Sequence, residues 1–190
     1  MKTYDRELEL GFEVSAAKAM KIITREKLFI NHKEIIHQMW LEEGFVGDYK
    51  FRTRIRDTMA IVPNIPVMIA AAPMPKYEFT TKYSKSDESA TEQDNMELNA
   101  TISQQEYDKL LRIYKPIGKE EIVKVRIYFS EPQNPHTVYT IDTYPYENND
   151  RARIEIEFST EEQIKQWKAP SWFKELIDNK KGLAAAQKEE

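Results

Sequence analysis

There is no cysteine anywhere in the 190-residue chain, which excludes disulfides and thiolate metal sites and fits a reducing compartment such as the cytoplasm. Glycine is scarce, and no Gly-rich phosphate loop of either common type is present. Histidine is scarcer still: His32 and His37 stand five apart, off any shared helix face, and no His-Glu-x-x-His motif supports a zinc site. No serine sits in a recognisable nucleophile elbow. Long apolar runs are also missing. The most apolar stretch, Ile61 to Ala72, is short and broken by Pro63 and Pro66, so no bilayer span is expected. Met1 to Glu9 is charged and does not read as a signal peptide. Neither sign of charge dominates, with 28 Lys and Arg against 32 Asp and Glu, so there is no general attraction to nucleic acid or an anionic membrane. The expectation is a soluble cytoplasmic protein.

What the chain does have is charge of both signs, 32% of all residues for a net of −4, which requires sorting into local clusters. Period-two alternation marks strands at 4–14, 34–42, 49–56, 77–83, 96–102, 121–129, 137–144 and 151–158. Ser15 caps an expected helix over 16–30, and Ser103 with Glu106 forms a capping box for a helix to about Ile113. Thr160 with Gln163 opens a short helix, and Trp172 to Ile177 forms another. Residues 58–76, with four prolines, read as a structured loop or insertion. Residues 84–95 read as an exposed polar loop, and Pro132 and Pro135 as a hairpin loop. One domain over 1–179 is expected, followed by a charged tail at 180–190.

The informative pattern is the face each charge occupies. Arg52, Arg54 and Arg56 alternate with apolar or small residues, as do Lys124 and Arg126, and as do Arg153, Glu155 and Glu157. Glu7 and Glu9 oppose Leu8, Leu10 and Phe12, and Asp142 opposes Ile141. One strand of this kind is explained by a solvated face over a core. Across the set, like charges repeat at i, i+2 and i+4 and repel one another unless a counter-charge lies between them. Turning these faces inward in a closed sheet lets basic strands hold an anion and acidic strands a divalent cation. The fold class is therefore α+β and β-dominated, an eight-stranded antiparallel closed tunnel with a charged interior and flanking helices. Trp40, Trp167 and Trp172 read as packing residues.

The segment from Arg153 to Glu162, followed by Pro170-Ser171-Trp172-Phe173, resembles the closing signature of the CYTH, or triphosphate tunnel metalloenzyme, superfamily. Val138 to Asp142 is similar to its aromatic-x-Ile-Asp strand, and Lys124-Val125-Arg126 to its Lys-x-Arg strand. Gln38 leading to Arg54-Ile55-Arg56 is similar to its hairpin, Thr80-Thr81-Lys82 to its Thr-x-Lys strand, and Glu7-Leu8-Glu9 to its N-terminal motif. The likeness covers nearly the whole chain in order. It implies metal-dependent hydrolysis of a triphosphate group in inorganic tripolyphosphate, a nucleotide, a related organic triphosphate or an RNA 5′ end. The same fold also allows cyclisation of ATP, or binding without catalysis. Under the resemblance, Glu7, Glu9, Glu97, Glu155 and Glu157 serve Mg2+ or Mn2+, and Glu7, Glu9 and Asp142 are the catalytic carboxylates. Arg52, Arg54, Arg56, Lys82, Lys124 and Arg126 grip phosphate, a task suited to guanidinium and ammonium groups.

Two positions depart from the pattern. Gly11 stands where the family motif has lysine, and Asn99 where members often carry a second carboxylate. Loss of one charge-stabilising contact costs roughly 10² in rate, so both departures favour binding without catalysis unless another basic side chain, such as one from the 57–76 insertion, compensates.

Overall fold

The computed structural model describes residues 2–61, 74–85, 92–147 and 150–177. Its eight strands are β1 (Lys2–Ser15), β2 (Phe29–Val46), β3 (Tyr49–Ile61), β4 (Lys76–Lys85), β5 (Glu92–Thr101), β6 (Glu121–Glu131), β7 (Asn134–Thr143) and β8 (Arg151–Phe158). Helices α1 (Ala16–Arg25), α2 (Gln104–Tyr114), α3 (Glu161–Gln166) and α4 (Ser171–Ile177) lie between and after them. All pairings are antiparallel and follow the order β1-β5-β4-β3-β2-β6-β7-β8, with β8 hydrogen-bonded back to β1 through partners such as Gly11 and Glu155. The sheet therefore curls on itself.

Alternation sets which residues cover which face. On one face, Phe12, Val14, Ile127, Phe129, Tyr139, Ile141, Ala152, Ile154 and Ile156 form a buried cluster with Ala19, Ile22 and Ile23 of α1 and with Trp172, Phe173, Leu176 and Ile177 of α4. Trp172 donates its indole N–H to buried Glu131 Oε1 at 2.8 Å. A second cluster on the same face joins Met39, Leu41 and Ile55 to Tyr107 of α2. Apart from Glu131, most of the buried charged residues, among them Glu9, Lys82, Glu97, Lys124 and Asp142, occupy the opposite face.

The expected helix starts are present. Ser15 accepts from Lys18 N–H at 3.0 Å, Ser103 and Glu106 form a reciprocal box, and Thr160 accepts from Gln163 N–H at 3.2 Å. Several boundaries move. The helix expected over 16–30 stops at Arg25, because Lys27 turns left-handed (φ 52°) and Leu28 N–H donates back to Ile23 O. Phe29 and Ile30 then pair with Ser130 and Phe129, lengthening β2 at the helix's expense. β3 runs on to Ile61, into the expected 58–76 loop, and Lys76 already belongs to β4. Likewise β4 reaches Lys85 and β5 begins at Glu92, narrowing the expected 84–95 loop. Pro135 lies near the start of β7, a position that tolerates a missing N–H, so the hairpin loop shortens to Pro132-Gln133. The remainders of the two loops, 62–73 and 86–91, and the 180–190 tail lie outside the described residues. No helix among the described residues is long and apolar enough to cross a membrane.

Candidate functional site

The polar face gathers charge from seven strands into one chain of ion pairs. Arg54 on β3 reaches across β4 to Glu97 on β5, with Nη2 3.3 Å from Oε1. Lys82 on β4 lies 3.6 Å from Glu97 and, across β5, 3.5 Å from Glu9 on β1. Arg153 on β8 links Glu9 at 3.9 Å to Glu155, to which its Nε donates at 2.6 Å. Arg126 on β6 then donates to Glu155 at 3.1 Å and grips Asp142 on β7 with Nε and Nη2, each at 2.7 Å. Lys124 Nζ completes the chain, 2.6 Å from Asp142. Contacts that pass over an intervening strand require a concave surface, and five cations alternate there with four carboxylates.

These groups are largely removed from water. Glu97 and Asp142 are 2% exposed, and Glu9, Lys82 and Lys124 are also buried. Burial alone would protonate the acids, but neighbouring cations decide otherwise. Arg126 and Lys124 hold the Asp142 carboxyl far below the usual range, Arg54 and Lys82 lower Glu97, and Arg126 and Arg153 lower Glu155. Glu9 is the exception. Its carboxyl is pushed up by burial and by the charges of Glu155 and Glu157, against the pull of Lys82. Lys124 is pushed down to about 8 by burial and by Arg126 beside it. Gln38 Oε1 and Thr140 Oγ1 are buried on this face without a hydrogen-bond partner among the described residues.

The sequence-predicted residues divide into groups. Arg54, Lys82, Lys124, Arg126, Glu9, Glu97, Asp142 and Glu155 come together in the network. Glu157 is exposed on β8 as the register partner of Glu9. Arg56 is drawn aside to Glu78 at 2.5 Å, and Arg52 stacks on the Trp40 ring at 4.9 Å. Trp40 therefore sits on the polar face among the arginines, whereas Trp172 packs in the core as expected. Glu7 falls where only the backbone is described, and it pairs there with Asn95. Asn99 accepts from Thr80 Oγ1 at 2.7 Å and donates to Glu97 at 3.2 Å, which steadies that carboxylate. Among the described residues no three Asp, Glu or His side chains converge as a set able to hold a metal ion.

Arg153 escaped the sequence reading as a site residue. A Cβ built on Gly11 would lie 2.1 Å from Arg153 Nη2 and 2.6 Å from its Cζ. The guanidinium over Gly11 thus comes from the neighbouring strand β8. The only sequence signal was the basic residue leading the Arg-x-Glu-x-Glu alternation.

No family model and no curated protein sequence matches the chain. Among solved structures it is similar to HpAC1 from Hippeastrum, reported to have a dominant triphosphatase activity, at 16% identity and a TM-score of 0.56 over 84% of this chain and 82% of that one. It is also similar to the PH1819 protein of Pyrococcus horikoshii OT3, at 17% identity and a TM-score of 0.52 over 83% of this chain and 82% of that one. The likeness is one of fold alone.

Proposed function

We propose that the polar face lines a tunnel that binds the triphosphate group of inorganic tripolyphosphate, a nucleoside triphosphate or a related organic triphosphate, and hydrolyses it with Mg2+ or Mn2+. The observation that carries this reading is the ion-pair chain across seven strands, in which cations outnumber carboxylates by one. The cyclic pairing supports an enclosed lumen, since helices and apolar side chains cover the other face of the sheet. The triphosphatase activity reported for HpAC1 supports the reaction class.

On this reading Arg54, Lys82, Lys124 and Arg126 exchange part of their carboxylate contacts for phosphate oxygens, with Arg52 and Arg56 flanking them. Phosphoryl transfer depends mainly on such positioning and charge neutralisation. Glu9 and Glu157, register partners on β1 and β8, suit a hard cation in donor chemistry, and added positive charge would oppose the burial and the neighbouring carboxylates that raise Glu9. Mg2+ is commonly held by one or two carboxylates together with substrate phosphates, so a ready cage of three protein ligands is not required. When bound, the metal polarises the phosphoryl group and orients water. Asp142 keeps Lys124 and Arg126 charged and aligned.

A second reading, a binding module without turnover, is favoured by one observation: Glu97, Glu155 and Asp142 are each neutralised by protein cations. Calorimetry with tripolyphosphate and ATP, with and without Mg2+ or Mn2+, followed by phosphate and cyclic AMP assays, separates the readings. Triphosphatase activity predicts salt-sensitive binding, metal-dependent phosphate release and weaker binding by Arg126→Gln. Tight binding without product selects the module, and cyclic AMP selects cyclase chemistry. Failure of the wild-type protein to bind either ligand overturns the proposal.

A further inference from the structure

Resting on the triphosphate-binding reading, we infer that Arg153 is an additional phosphate-binding residue and that Gly11 is its seat. Three observations lead there. First, the Arg153 guanidinium occupies the volume above Gly11 so closely that a single added carbon would stand 2.1 Å from Nη2. A glycine inside a strand weakens it unless something needs the space, and here the space is filled by a cation from the adjoining strand. Second, the guanidinium lies within the chain of charges rather than at its edge. It bridges Glu9 and Glu155, and its side chain is only 19% exposed.

Third, the arginine fork is only half used. Nε donates to Glu155 at 2.6 Å, which fixes the orientation of the plane. Nη1 and Nη2 stand 3.9 Å from Glu13 and Glu9, beyond hydrogen-bond reach. An arginine placed only to neutralise Glu9 and Glu155 gains most by closing on both carboxylates. This one is held by its Nε and leaves its terminal N–H groups over the polar face, in the geometry that suits two oxygens of one phosphate. The cation missing at position 11 of the motif is thus replaced from β8, with its charge delivered to the same spot of the sheet from the next strand.

The test is a double-mutant cycle read by calorimetric binding of inorganic tripolyphosphate, with urea unfolding of every variant measured alongside. Arg153→Gln should weaken binding by about ten- to a hundredfold, the range expected for losing charged hydrogen bonds. Gly11→Ala keeps every charge but displaces the guanidinium, so it should weaken binding in the wild-type background. It should cost almost nothing further once Arg153 is Gln, because the two changes remove one interaction. Gly11→Lys combined with Arg153→Ala should recover affinity relative to Arg153→Ala alone, since lysine then has the vacated space.

If the wild type binds tripolyphosphate and Arg153→Gln binds it equally well, the inference falls while the triphosphate reading stands. Additive losses for Gly11→Ala and Arg153→Gln overturn the seat. Absence of wild-type binding removes the reading on which both rest. Should Gly11→Ala fail to fold, the comparison of Arg153→Gln with wild type still decides whether Arg153 binds phosphate.

Discussion

Replacing Asp142 by Asn should be among the most damaging single changes on the polar face, and the loss should depend on pH. The carboxylate is 2% exposed and takes three charged hydrogen bonds, one from Lys124 at 2.6 Å and two from Arg126 at 2.7 Å. Asn keeps the shape but leaves two cations side by side without their counter-charge. Removing one partner of a buried ion pair costs about 3–5 kcal/mol, which for a domain of this size lowers the melting temperature by roughly 10 °C. The protein has one means of relief. Lys124 already sits at about 8, below its ordinary value, through burial and Arg126. Without Asp142 it loses its proton more readily still.

A lysine whose folded pKa is depressed binds fewer protons folded than unfolded above that pKa, so stability rises with pH there. In the variant this rise begins at lower pH than in the wild type. The deficit should therefore be largest near pH 6 and shrink towards pH 8. Urea unfolding at pH 6, 7 and 8 measures it. A loss below about 1 kcal/mol at pH 6, the value expected of an exposed pair, or a deficit that grows with pH, would refute the buried-triad account. Tripolyphosphate should restore part of the lost stability, since a ligand that binds only the folded state stabilises it by mass action.

Three further outcomes follow from the same geometry. Wild-type affinity for tripolyphosphate should fall as pH rises through about 8, where Lys124 loses its charge, and Lys124→Met should remove that pH dependence. Titration calorimetry near pH 8 in buffers of different ionisation enthalpy should show more proton uptake in the wild type than in Lys124→Met. Trp172→Phe removes the N–H that serves buried Glu131 and should cost about 1–3 kcal/mol in urea unfolding, whereas an unchanged midpoint would mean the bond adds nothing. Ser103→Ala breaks both halves of the α2 capping box and should cost about 0.5–2 kcal/mol by the same assay, with Glu106→Ala similar in direction.

The features legible in the sequence were those governed by near neighbours. The three caps at Ser15, Ser103 and Thr160 depend on partners three residues away and were found. The strand at 151–158 was bounded correctly because Ala152, Ile154 and Ile156 alternate cleanly with charged residues. The sequence reads as helix up to residue 30 because Leu28 and Ile30 fit a helical period as well as a strand. Pairing with β6, about a hundred residues later, decided the matter for the strand. The charged face was visible as a set of alternations, but not its order. That Arg126 meets Glu155 over β7, or Lys82 meets Glu9 over β5, follows from the cyclic strand arrangement, which no local pattern encodes. Arg153 stayed hidden for the same reason, since its neighbour Gly11 lies near the opposite end of the sequence.

The order of strands also bears on how the molecule comes to fold. β2 to β5 form one run of sequential neighbours and β6 to β8 another, whereas β1 hydrogen-bonds to β5 on one side and to β8 on the other. Of the eight strands, β1 precedes the others in sequence yet is completed last, after the chain through Phe158 has been made. Its pairing with β8 demands closure of a very long loop, the kind of contact that slows folding. Until then β1 carries an unpaired edge, and β8 another, exposed to any neighbouring chain. Refolding should accordingly show an early phase from the two sequential runs and slower, concentration-sensitive phases in which β2 joins β6 and β1 pairs with β5 and β8.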